Sequence, residues 1–92
     1  MVVEKKKLMQ MFLHEKPAEL LIRLKGEKKY ASILAKEVDC TYSHCVRILQ
    51  EMKKIGLVDF EKRGRIKLIS LTKIGEDVAF AMENVVRVFS KP

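Results

Sequence analysis

The chain has 92 residues, with 19 Lys and Arg against 12 Asp and Glu for a formal net charge of +7, and 48% of its residues are apolar. This length fits one domain and excludes a two-domain enzyme, and so short a chain buries only about 60–65% of its unfolded surface, so that a dimer interface would supply core the monomer lacks. No apolar run reaches the ~18 residues of a membrane span, and Met1 to Lys7 lacks the apolar stretch of a signal peptide, which predicts a cytoplasmic chain with no membrane partner.

The first sixteen residues read as an N-terminal extension, in which Leu8 to Leu13 fits a short strand or a helical turn equally well. Pro17 suits the first turn of a helix that runs through Leu20, Leu21 and Leu24 and stops at Gly26. After Lys28, Lys29 and Tyr30, residues 31–38 predict a short second helix with Ile33, Leu34 and Val38 on one face. Asp39, Cys40 and Thr41 interrupt it. Thr41 is a good N-cap for a third helix, whose apolar stripe is Cys45, Ile48, Leu49, Met52 and Ile55 and whose end is Gly56. Its other face carries Ser43, His44, Val46, Arg47, Gln50, Lys53 and Lys54. Residues 57–62 and 66–71 are rich in branched side chains and predict two strands joined at Arg63, Gly64 and Arg65, a hairpin with a basic tip. Thr72 then caps a last helix from about Lys73 to Phe89.

The positive charge is unevenly placed along this order. Residues 41–71 hold seven bases and three acids, whereas residues 72–92 hold three of each. More than half of the excess therefore lies on the third helix and the hairpin, which predicts a polyanion-binding surface there. Arg47 and Gln50 are the exposed side chains of the third helix best able to form paired hydrogen bonds, Arg with guanine and Gln with adenine, while Thr41 and Ser43 lie at a helix N-terminus suited to a phosphate oxygen. Lys53 and Lys54, far from the helix start, read more simply as cations favoured at a helix end.

Cys40, His44 and Cys45 raise the possibility of a metal cluster or a redox switch. A structural zinc site needs four ligands, and only the distant His14 remains as a fourth, so no metal and no cofactor is expected. Two cysteines are also too few for a disulfide framework. With no Ser/His/Asp arrangement and no paired carboxylates, the residues do not suggest an enzyme.

The last helix is apolar over more than half of its circumference, through Ile74, Val78, Ala79, Phe80, Ala81, Met82, Val85, Val86, Val88 and Phe89, against a narrow polar strip of Glu76, Glu83, Arg87 and Ser90. One stripe suffices for packing on the domain, and the second predicts a partner. The same helix of a second subunit is the expected one, with Val78, Ala81, Met82, Val85, Val86 and Phe89 at the dimer interface.

Three stretches in this order, residues 34–41, 49–58 and 64–75, resemble the winged helix-turn-helix superfamily, and more closely its small archaeal members related to the MarR and ArsR regulators. The resemblance implies a mostly α fold with a small β-hairpin: a three-helix core, a two-stranded wing and a C-terminal dimerisation helix. Its DNA-binding domain would span residues 17–72 and the dimerisation helix residues 73–92. It further implies that the helix over 41–55 enters the major groove of double-stranded DNA, with Thr41 at its start and Tyr42, Ser43, His44, Arg47 and Gln50 near the bases. Lys62, Arg63, Arg65 and Lys67 would lie at the wing, over residues 57–71, on the backbone or in the minor groove. Both cysteines would occupy apolar packing positions of the motif. The implied function is a sequence-specific, homodimeric and nucleoid-associated transcriptional regulator, a repressor. The rival readings are an architectural, chromatin-like DNA binder, a winged helix that contacts protein in a transcription or replication complex, and DNA release controlled by Cys40 and Cys45. No segment is left for a separate effector domain, so a small-molecule effector would have to bind between the domain and the last helix.

Overall fold

A computed structural model describes residues 15–90; the Leu8 to Leu13 segment lies outside the described residues. Four helices and three strands follow one another as α1 (Glu15–Leu24), β1 (Lys29–Tyr30), α2 (Ala31–Glu37), α3 (Tyr42–Lys54), β2 (Val58–Arg63), β3 (Ile66–Leu71) and α4 (Lys73–Ser90). Helix α1 begins two residues before Pro17, which occupies its first turn, where a missing N–H breaks no helical hydrogen bond.

Helix α2 buries Ala31, Leu34, Ala35 and Val38, the spacing of one stripe at 3.6 residues per turn. Ile33, expected on that face, is 44% exposed instead, because it lies one residue off the stripe and the small Ala31 and Ala35 fill the inward positions. The helix ends in a double hydrogen bond, Cys40 N–H to Ala35 C=O at 3.0 Å and Asp39 N–H to Lys36 C=O at 3.3 Å. Asp39 adopts the left-handed conformation that this ending requires, with φ 55°. The chain then turns directly into α3, whose first free amides are met by Thr41: its Oγ1 accepts from His44 N–H at 3.2 Å.

Helix α3 seats Cys45, Leu49 and Met52 in the core and leaves its basic face outside. Val46, grouped by sequence with the polar face, is half-buried against the core, because it borders Leu49 on the helix surface. The helix closes like α2, with Leu57 N–H bonding Met52 C=O at 2.9 Å and Gly56 N–H bonding Lys53 C=O at 3.1 Å. Leu57 and Met52 are both fully buried, the apolar contact that accompanies this kind of ending.

The sheet is antiparallel in the order β1-β3-β2. Strands β2 and β3 are joined by the two residues Gly64 and Arg65, and Gly64 takes φ 64°, as the first residue of a type II′ turn does. Lys29 and Tyr30 form β1 and pair with Ile69 and Leu68; two residues carry too little periodicity for a strand to be read from sequence.

Thr72 joins the hairpin to α4. Its hydroxyl donates to Gly56 C=O at 2.6 Å and accepts from Gly75 N–H at 2.9 Å, and its N–H bonds Leu57 C=O at 3.0 Å. Gly75 lies so near the Leu57 backbone that a Cβ there would stand 1.9 Å from the Leu57 carbonyl oxygen. The start of α4 is thus locked against the end of α3. Ala79 and Met82 then bury against the core, with Ile74 and Val78 packed beside them.

Candidate nucleic-acid interface

The strand register sorts the hairpin's charges by face. Val58 pairs with Leu71, Phe60 with Ile69 and Lys62 with Lys67, and directly opposed residues share a face. Val58 and Ile69 are buried, so Lys62 and Lys67 extend the same face of the sheet that reaches the core and α3. Asp59, Glu61 and Arg63 occupy the other face. Glu61 holds Arg63 there, Nε at 3.3 Å and an end nitrogen at 3.2 Å from one carboxylate oxygen. Arg63, expected among the wing's DNA-facing bases, lies on the sheet face away from α3 and is ion-paired.

On α3 the exposed residues Ser43, Arg47, Gln50 and Lys54 follow one stripe down the helix, with Tyr42 and His44 exposed at its start. Glu51 pairs with Lys54 at 3.7 Å. Two of the three acids in residues 41–71 are therefore taken up by Lys54 and Arg63. Arg47, Lys53, Lys62, Arg65 and Lys67 have no ion-pair partner among the described residues, and Lys62 and Lys67 stand directly opposite each other. Opposed like charges destabilise a strand pair, and an anion laid along this surface would reverse that cost.

A residue not singled out by sequence connects the two elements. Phe60 is half-buried, and the ammonium groups of Lys53 from α3 and Lys67 from β3 stand over its ring, 5.8 and 5.2 Å from the centre. Each such contact is worth about 0.5–1 kcal/mol when exposed. With Gln50 and Lys54 these three residues line an open cleft of about 570 Å³ between the helix and the hairpin. An aromatic residue inside a strand reads as packing, and only the register shows it to lie beneath two lysines.

Cys45 is fully buried and its Sγ lies 3.7 Å from Ala31 C=O. Burial, and after it the neighbouring Cys40, push its thiol up to about 12, which makes it a packing group rather than a nucleophile. Among the described residues no cluster of three or more His, Cys, Asp or Glu could hold a metal ion.

Helix α4 divides the residues expected at a dimer interface. Met82 is 9% exposed and Val78 half-buried; both serve the core of their own chain, because they repeat the spacing of Gly75 and Ala79 on its inward stripe. Ala81, Val85 and Val86 lie on the exposed side, with Phe80 and Val88; the Phe89 side chain lies outside the described residues. Lys25, one residue past α1, reaches across to α4. It donates to the Glu83 carboxylate and stands over the Phe80 ring, 5.1 Å from its centre, and its hydrogen bond holds the Glu83 carboxyl below its ordinary value. No helix among the described residues is long and apolar enough to cross a membrane.

No protein-family model and no curated protein matches the sequence. Solved structures do match. The chain is similar to AF1382 from Archaeoglobus fulgidus, with a TM-score of 0.81 and 22% identity over 92% of this chain and 99% of the other. It is similar to the homodimeric winged helix-turn-helix DNA-binding domain of Mb0332 from Mycobacterium bovis, a possible ArsR-family regulator, with a TM-score of 0.74 and 16% identity over 95% of this chain and 81% of the other. It is also similar to S. aureus MepR in a DNA complex, with a TM-score of 0.74 and 18% identity over 94% and 74% of the two chains. The chain has the winged helix-turn-helix fold, with α2 and α3 as its helix-turn-helix and the β2–β3 hairpin as its wing.

Proposed function

We propose that the protein is a homodimeric, sequence-specific double-stranded DNA-binding regulator of transcription that acts in the cytoplasm as a repressor by occupying its site. One observation carries this reading: five cations with no ion-pair partner among the described residues, Arg47, Lys53, Lys62, Arg65 and Lys67, lie on α3 and the wing, while the neighbouring acids are paired or on the sheet face away from α3. In such an arrangement α3 enters the major groove, where Arg47 and Gln50 meet base edges, and Lys62, Arg65 and Lys67 follow the backbone or the adjacent minor groove. Thr41, Tyr42, Ser43 and His44, exposed at the start of α3, would lie where the helix meets the groove. The exposed apolar side of α4 supplies the dimer contact through Ala81 and Val85, with Phe80 and Val88 beside them. The similarity to a domain described as homodimeric and to a regulator described in a DNA complex supports both parts.

Selection of bound duplexes from random-sequence DNA tests the reading. A regulator enriches one palindromic motif with half-sites about one helical turn apart. Binding without enrichment replaces it with an architectural DNA protein, and the absence of binding replaces it with a winged helix that contacts protein.

A further inference from the structure

Resting on the DNA-binding reading above, we infer that the cleft between the end of α3 and the wing is a seat for a backbone phosphodiester of DNA, and that Phe60 is the residue that positions its two lysines. Lys53 and Lys67 come from two different elements, yet both ammonium groups stand over one aromatic ring at 5.8 and 5.2 Å. Neither has a carboxylate partner among the described residues, and the nearest acid in sequence to Lys53, Glu51, lies about 200° around the helix and pairs with Lys54 instead. Two like charges drawn to one ring repel each other, and Lys62 opposite Lys67 adds a third. A phosphate oxygen entering the cleft would meet the ammonium donors of Lys53 and Lys67 that line it and relieve that repulsion. The ring supplies no charge; it keeps two flexible side chains from spreading into solvent, so less freedom is lost when the phosphate arrives.

Gln50 lines the same cleft. A phosphate held there fixes the depth and rotation of α3 beside the side chain that reads a base, so the seat acts as a registration point. It contributes equally to every DNA sequence, unlike Arg47.

The test measures binding of the full chain to a selected duplex and to a scrambled one across a salt series. Lys53→Gln and Lys67→Gln each weaken both duplexes by the same factor, and each flattens the plot of log affinity against log salt, by up to about 0.9 per protomer. Phe60→Leu weakens both duplexes in the wild-type background and has no further effect when both lysines are already Gln. Phe60→Tyr, which keeps the ring, keeps the affinity and serves as the folded control. If the wild type binds DNA but the lysine variants retain its salt slope, the seat is overturned. If Phe60→Leu weakens binding equally in both backgrounds, its positioning role is overturned and the residue only packs. A wild type that binds neither duplex overturns the underlying reading, a result that differs from the other two.

Discussion

Cys45 shows how one side chain's surroundings set its chemistry. It sits at the centre of the helix-turn-helix with no exposed surface, and its thiol is pushed from 9.0 up to about 12, first by burial and then by Cys40. The folded state therefore holds the proton more tightly than the unfolded one. The resulting stability is complete below pH 9 and is lost as pH rises from 9 to about 12. Replacing Cys45 by Ala is expected to flatten the decline of unfolding free energy above pH 9 in a pH series of urea titrations. In mass-spectrometric alkylation near pH 8, the half-exposed Cys40 is expected to react in the folded protein while Cys45 stays unmodified until the protein unfolds. Equal labelling of the two in the native state would contradict the burial argument. Gly75 carries a steric constraint of similar sharpness, since a methyl group there meets the Leu57 carbonyl oxygen at 1.9 Å. Gly75→Ala is expected to destabilise the fold by about 1–3 kcal/mol in urea unfolding, the range for forced overpacking.

The elements are defined chiefly by how they end. Helices α2 and α3 close with the same pair of hydrogen bonds, but α2 places Asp39 at the left-handed position, with φ 55°. Asp39→Gly is accordingly expected to raise the melting temperature, by a gain of about 0.5–1 kcal/mol, whereas Thr41→Ala removes the α3 cap and costs about 1 kcal/mol; thermal unfolding followed by circular dichroism reads both. Caps, stops and the long apolar stripes were legible in the sequence because each rests on neighbours within one or two turns: Thr41 and Gly56 bound α3, and Gly64 marks the hairpin. Features that depend on distant partners were not. Strand β1 exists only because β3 runs beside it, Ile33 and Val46 lie at stripe edges where one residue decides the side, and Phe60 gains its place from lysines on two other segments. The pairing that sets Arg63 beside Glu61, on the sheet face away from α3, likewise depends on the hairpin register.

At the scale of the whole molecule, charge and apolar surface are separated. Net positive charge gathers on α3 and the wing, while α4 turns Phe80, Val85 and Val88 outward, 55%, 52% and 65% exposed. One side of α4 completes the monomer core through Ala79 and Met82, and the other is the face proposed to meet a second subunit. Val85→Glu with Val88→Glu is expected to leave the monomer folded, because neither side chain belongs to its core, and to halve the mass measured by light scattering from a dimer to the 10.7 kDa chain. A dimer presenting two copies of α3 gains affinity from simultaneous engagement, so the same variant should bind its selected duplex more weakly. The most direct measurement compares the affinity of the wild type and Arg47→Ala for a selected duplex and a scrambled duplex at one fixed salt concentration. A surface that reads sequence through α3 gives a wild-type preference of at least about 10³-fold, and Arg47→Ala reduces that preference by about 1–3 kcal/mol per protomer. Equal wild-type affinity for both duplexes, or a preference that survives Arg47→Ala unchanged, would contradict it.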